Sequence, residues 1–262
     1  MTEIIPQTPV VNAGFMYVSG LKLTYSNEFE YVLSKGAARD SSNTIDIIVE
    51  NDLTLSVLYA GINGLDVGTV GQSVCYAVYV IADSSGYKKT AAILSLNTLK
   101  PLLPVGYDCY RRVGWISTGT EVFPSHVLKF YQYGEGETKR YIYDKNTVQT
   151  IIFEGNSNTF SQISISPAVV PKIACEIYIS SKYEQAFSSN RAHISPGGAV
   201  SSNGFVILGD GNLSTQYDQF TMPCTINNSG FASIQYKTGP GAGDKLSLYA
   251  TGFKDLLWLY LF

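Results

Sequence analysis

The sequence is short of charge. Asp, Glu, Lys and Arg make up 15% of its 262 residues, against about 25% in soluble domains generally. Little charged surface remains to keep such a chain solitary in solution. The net charge is −3 and no run of Lys or Arg exceeds two, which argues against a phosphate-neutralising patch and so against nucleic-acid binding. Histidine is scarce as well. His126 and His193 stand far apart with no Gly-x-Ser-x-Gly turn beside them, so a hydrolytic triad is not expected.

The four cysteines, Cys75, Cys109, Cys175 and Cys224, form no Cys-x-x-Cys pair, and zinc sites need ligands paired at short spacing. Each sits among apolar or aromatic neighbours and reads as a buried free thiol. The glycine clusters GDGNLS and GPGAGD lack the lysine and following helix of a phosphate loop. No catalytic residue, metal or cofactor is expected. The start, MTEIIPQTPVV, has an acidic residue and no apolar core of signal-peptide length, so export is not expected. The C-terminal run LLWLYLF has seven residues, far from the ~20 that span a bilayer, so membrane insertion is not expected either. No heptad or Gly-X-Y repeat is found; a fibre or trimer would have to be held by globular β faces.

What is abundant is apolar and aromatic. Hydrophobic residues reach 45%, with 19 tyrosines, and tyrosine favours strands and interfaces. Period-two alternation recurs in short runs between turn signals every 8 to 12 residues, the pattern of a sandwich or jelly roll. The fold class expected is all-β: two β-sandwich or jelly-roll-like domains with short strands and little helix. Residues 1–13 read as an extended N-terminal arm, 14–155 as the first β-domain and 156–262 as the second, with a polar joint at GNSNTFS.

Val74–Ala82 and Tyr110–Ser117 are the strongest strands. FMYVSGLKLTY reads as a strand with a glycine bulge, and EFEYVLSKG as one with Phe29, Tyr31 and Leu33 on one face. GAARDSSN reads as a polar turn, and VLKFYQYGEGETKRYIYD as a hairpin turning at GEGE. KYEQAFSSN is expected to hold one helical turn, from the capping-box spacing of Ser181 and Glu184. Asp40, Asp46, Asp66, Asp83 and Asp108 mostly adjoin Gly, Ser or Asn, where aspartate caps turns; they read as structural rather than as a glycosidase pair. Arg39 and Arg111 read as turn or interface organisers. Tyr131, Tyr133, Tyr141 and Tyr143 could give the hairpin an aromatic face for host glycans; the competing expectation puts half of them in the core and half against a neighbouring subunit.

Four stretches carry a resemblance: LSKGAARDSSNTIDI at 33–47, GINGLDVG at 61–68, YAVYVIADSSGYKKTAAILS at 76–95 and PLLPVGYDCYRRVGWISTG at 101–119. Together they resemble a module of tailed-bacteriophage virion structural proteins of the tail-fibre or appendage type. VVPKIACEIYI at 169–179 and LSLYATGFKD at 246–255 are similar to the second half of such proteins. Val113 stands where that pattern has isoleucine, and Cys75 where an aromatic is common. The resemblance implies structural roles for Gly36, Arg39, Asp40, Gly64, Asp66, Gly68, Gly106, Tyr107, Arg111, Arg112 and Gly114, and implies no catalytic residue. It implies a non-enzymatic virion subunit acting through assembly with itself, most simply as a trimer, and with other virion proteins. The alternatives are a fibre tip that binds host surface polysaccharide, and a capsid decoration or head-fibre protein.

Overall fold

In the computed structural model, residues 17–119, 126–134, 136, 138–172, 174–187, 189–197, 206–209, 215–226, 232–239 and 243–257 are described. The expected arm at 1–13 lies outside them, as does most of LLWLYLF. Among the described residues the chain is all-β, with twenty strands in four antiparallel sheets and no helix.

The first sheet is small: β1 (Val18–Gly20), β4 (Gly36–Arg39) and β5 (Asp46–Val49), in the order β1-β4-β5. The largest runs through most of the chain. It contains β2 (Leu23–Asn27), β3 (Glu30–Leu33), β6 (Leu53–Ser56), β10 (Phe130–Tyr133), β11 (Thr138–Tyr143), β12 (Gln149–Gly155), β14 (Glu176–Glu184), β17 (Thr215–Pro223) and β20 (Lys245–Leu256). A third sheet of three strands holds β7 (Cys75–Ala82), β8 (Thr90–Ser95) and β9 (Cys109–Ser117), with β7 in the middle. The fourth contains β13 (Ser161–Ser164), β15 (Ala192–Pro196), β16 (Val206–Leu208), β18 (Thr225–Ile226) and β19 (Ala232–Lys237).

The two strongest sequence strands are direct partners, since β7 pairs with β9 from Cys75↔Ser117 to Ala82↔Cys109. Every residue of β7 is buried. Burial on both faces explains its unbroken apolar run, because neither face has water to favour a polar alternate. The aromatic hairpin forms as expected: Phe130 pairs with Tyr143 and Tyr133 with Arg140, around Gly134 and Gly136 at positive φ.

The large sheet is built on β20. One edge of this strand pairs with β14 along its length. Its other edge is shared, with β11 taking residues 252–256 and β12 taking residues 246–250. Hydrogen bonding therefore crosses residue 155, where the sequence suggests a joint. Gly252 permits this approach: a Cβ there would lie 2.1 Å from the Tyr141 carbonyl oxygen.

Three local expectations need correction. FMYVSGLKLTY is not one bulged strand. Positive φ at Gly20 and Leu21 breaks it into β1 and β2, which join different sheets. GAARDSSN is not wholly a turn, since Gly36–Arg39 is β4 and only the residues after Arg39 turn. The helical turn expected around Ser181 and Glu184 is absent, because both belong to β14, where every second residue is buried and pairing with β17 and β20 continues to Glu184. Satisfying both strand edges outweighs a local cap.

Candidate functional site

Two of the motif residues, Arg112 and Gly114 of β9, meet the large sheet. In β9 the pairing slips between Val78↔Gly114 and Tyr79↔Arg112, so Val113 is an extra, bulged residue. In a regular strand Arg112 and Trp115, three apart, would point to opposite faces. The bulge brings them together: the Arg112 guanidinium lies 4.8 Å from the Trp115 ring centroid. Both meet Asp255 of β20, Arg112 through an N–O ion pair of 3.1 Å and Trp115 by donating its indole N–H at 2.7 Å.

Asp255 is fully buried. Burial pushes its carboxyl above the usual range, against the opposing pull of Arg112 and the Trp115 N–H. Around this group lies a polar network inside an apolar core. The Ser117 hydroxyl donates to Cys75 Sγ at 3.3 Å. Gln132 accepts from the Leu23 N–H at 2.8 Å and donates to the Tyr141 hydroxyl at 3.0 Å. Gly114 makes room for these groups, since a Cβ there would sit 2.7 Å from a Leu23 methyl and 3.1 Å from the Tyr141 hydroxyl. Of these contacts, those of Arg112 and Trp115 with Asp255 cross between the two sheets, while the others tie strands within one sheet.

A second cluster is the Asp40 turn. Asp40 Oδ1 accepts from the Thr44 and Ile45 N–H groups at 2.7 and 2.8 Å, and Oδ2 accepts from the Ser42 hydroxyl and N–H. Burial works against its charge, but these donors outweigh it and hold the carboxyl below its ordinary value. The adjacent Ser41 N–H bonds the Tyr110 carbonyl at 2.8 Å, which ties the turn to β9. Arg39 pairs with Asp46 across β4 and β5 at 2.9 Å. Gly36 lets β1 approach β4, since a Cβ would lie 2.3 Å from the Ser19 carbonyl.

The remaining motif residues shape loops. Gly64 packs under Tyr59, where a Cβ would be 2.3 Å from its carbonyl oxygen. Asp66 Oδ2 accepts from the Leu102 N–H at 3.1 Å, and so binds the GINGLDVG loop to the PLLPVG segment. Gly68 and Gly106 have positive φ, +80° and +83°. Tyr107 is buried beneath the Lys89 ammonium, 4.9 Å from its ring centroid. Arg111 is buried within β9.

The four hairpin tyrosines are divided. Tyr141 and Tyr143 are buried, Tyr141 stacked on Phe253 at 4.5 Å, so neither can belong to a glycan-binding face. Tyr131 and Tyr133 are exposed. They line an open groove of about 230 Å³ with Lys22, Tyr25 and Lys129. The Lys129 ammonium lies over both the Tyr25 and Tyr131 rings, and the Tyr131 hydroxyl donates to Asp144 at 3.2 Å.

Of the two histidines, His126 packs edge-on against Phe29 and His193 lies in β15. Cys75 and Cys109 are buried as expected, whereas Cys175 and Cys224 are only half-buried. Sequence reasoning missed Trp115 and Asp255. A tryptophan in a strand carries no signal of its hydrogen-bond partner, and Asp255 is 140 residues away.

No protein-family model matches the chain, and no curated protein matches it. Among solved structures, a chain from "Structure of infectious bursal disease virus Gx strain" aligns at 10% identity over 92% of this chain and 66% of that chain, with a TM-score of 0.18. The alignment thus spans just under two thirds of the viral chain, and a TM-score this low says nothing about fold or function.

Proposed function

We propose that this chain is a structural subunit of a tailed-bacteriophage virion, part of a tail fibre, baseplate or other appendage, and that it works by assembly rather than by catalysis. It would be made in the host cytoplasm, associate with copies of itself, most simply as a trimer, and join other virion proteins. The observation that carries this reading is the use made of the motif residues. Gly36, Asp40, Asp66, Arg112 and Gly114 each secure one strand or loop to another. A pattern spent on holding sheets in register is the pattern of a scaffold. The resemblance of residues 33–119 to virion modules supplies the setting.

A second reading is favoured by the groove at Tyr131 and Tyr133. Exposed aromatic faces beside Lys129 and Asp144 suit a shallow polysaccharide site, as on a receptor-recognising fibre tip. A capsid decoration or head-fibre role shares the scaffold chemistry of the first.

Mass spectrometry of gradient-purified particles, from a host strain carrying this gene, tests the proposal. The chain should be present in fixed proportion to the other virion proteins. Its absence from intact particles would overturn the reading.

A further inference from the structure

Two loops that flank β8 expose apolar side chains. One follows β6 and carries Tyr59, Ile62 and Val67; the other follows β8 and carries Leu96, Leu99 and Leu102. These six residues are between 46% and 65% exposed. The first loop is fastened to β8 and, through Asp66, to the second loop. Asn63 exchanges hydrogen bonds with Ala92 through its N–H (2.8 Å) and its side-chain oxygen (2.9 Å), the Asp66 N–H bonds the Leu94 carbonyl at 2.7 Å, and Asp66 Oδ2 accepts from Leu102. Between them runs an open groove of about 490 Å³ bordered by Val67, Leu96 and Leu102, with Asp66 and Lys100 on its walls. Pro101 and Pro104 restrict the backbone of the second loop, which lowers the entropy lost when these leucines are covered.

We propose that this groove and its leucine ridge are where a second copy of this chain docks. The inference rests on the reading of the chain as an assembling subunit and assigns the surface that does it. Area is the first argument. The six side chains are each about half exposed or more, and together they approach the roughly 300–600 Å² of the largest apolar patch on a typical monomer. A standard interface takes roughly 800 Å² from each partner, a little over half of it apolar, so the patch matches what one side requires. Charge is the second argument. Asp66 and Lys100 lie on the same groove, and among the described residues neither forms an ion pair. A surface with one acid and one base can answer its own copy, Lys100 of each meeting Asp66 of the next.

Sedimentation equilibrium of the full chain at micromolar concentration provides the test. The wild type should associate. Leu99→Glu and Leu102→Glu should each weaken association by 100-fold or more while the near-ultraviolet circular dichroism stays native. Phe153→Glu, at an exposed phenylalanine on β12 outside this surface, should associate as the wild type does. Lys100→Glu, at an exposed position, should weaken association about tenfold by facing Asp66 of the neighbour with a like charge. An associated wild type whose variants at 99, 100 and 102 associate equally well would overturn the surface and leave the subunit reading standing. A wild type that stays monomeric would overturn both.

Discussion

Trp115 donates its indole N–H to Asp255 at 2.7 Å, which joins β9 of the three-stranded sheet to β20 of the large one across 140 residues of sequence. Arg112 shares the same carboxylate. The register between the two sheets is thereby set by three side chains that have no water to fall back on.

Asp255→Ala should destabilise the protein by about 3–5 kcal/mol, because it leaves the Arg112 guanidinium buried without its counter-ion. Trp115→Phe keeps most of the ring and should cost about 1–3 kcal/mol for the lost donor. Urea unfolding measures both. The pH dependence has a definite sign. Burial raises the folded carboxyl of Asp255 above its unfolded value, so its contribution is fully present below about pH 4 and is lost as pH rises through the folded value. Asp255→Asn should remove that fall in stability, and an unchanged pH profile would contradict the assignment.

Asp40 should behave in the opposite sense. Its folded carboxyl lies below the ordinary value, so it contributes stability above the unfolded value near 4 and loses it as pH falls through the folded one. Asp40→Ala strands the N–H groups of Ser42, Thr44 and Ile45 and should cost about 2–4 kcal/mol near neutral pH. The deficit should shrink in acid. Unfolding curves at neutral and acid pH read it directly.

The hairpin tyrosines should separate cleanly. Tyr141→Ala removes a buried ring stacked on Phe253 and should cost about 3–5 kcal/mol. Tyr131→Ala, at an exposed position, should stay within about 0.5 kcal/mol of the wild type. Binding of fluorescently labelled protein to host cells then tests the fibre-tip reading, which requires Tyr131→Ala and Tyr133→Ala to abolish binding with stability intact.

Burial pushes the Cys75 thiol up to about 12, so almost no thiolate exists at neutral pH. Iodoacetamide at about pH 8 should leave Cys75 unmodified in the native protein and modify all four cysteines in guanidinium. Peptide mass spectrometry distinguishes the outcomes. Rapid native labelling of Cys75 would mean that the space between the two sheets opens.

The all-β class and the β7–β9 and β10–β11 strands were legible because alternation, apolar runs and glycine turns are local signals. What escaped was non-local. The bulge at Val113, which turns Arg112 and Trp115 to one face, has no signature in CYRRVGWIS, where simple parity sets them apart. Asp255 looks like an ordinary strand acid in GFKDL until β20 brings it to β9. The tyrosines of YIYD and FYQY read alike, and only the direction in which the large sheet meets the core decides that Tyr141 and Tyr143 go in and Tyr131 and Tyr133 stay out. At Ser181 a valid local cap lost to two strand partners.

An image of the intact particle at near-atomic resolution tests the central claim most directly. The account predicts density for this chain in several symmetry-related copies, with neighbours meeting through Leu99 and Leu102. A complete particle with every density assigned to other chains would contradict it.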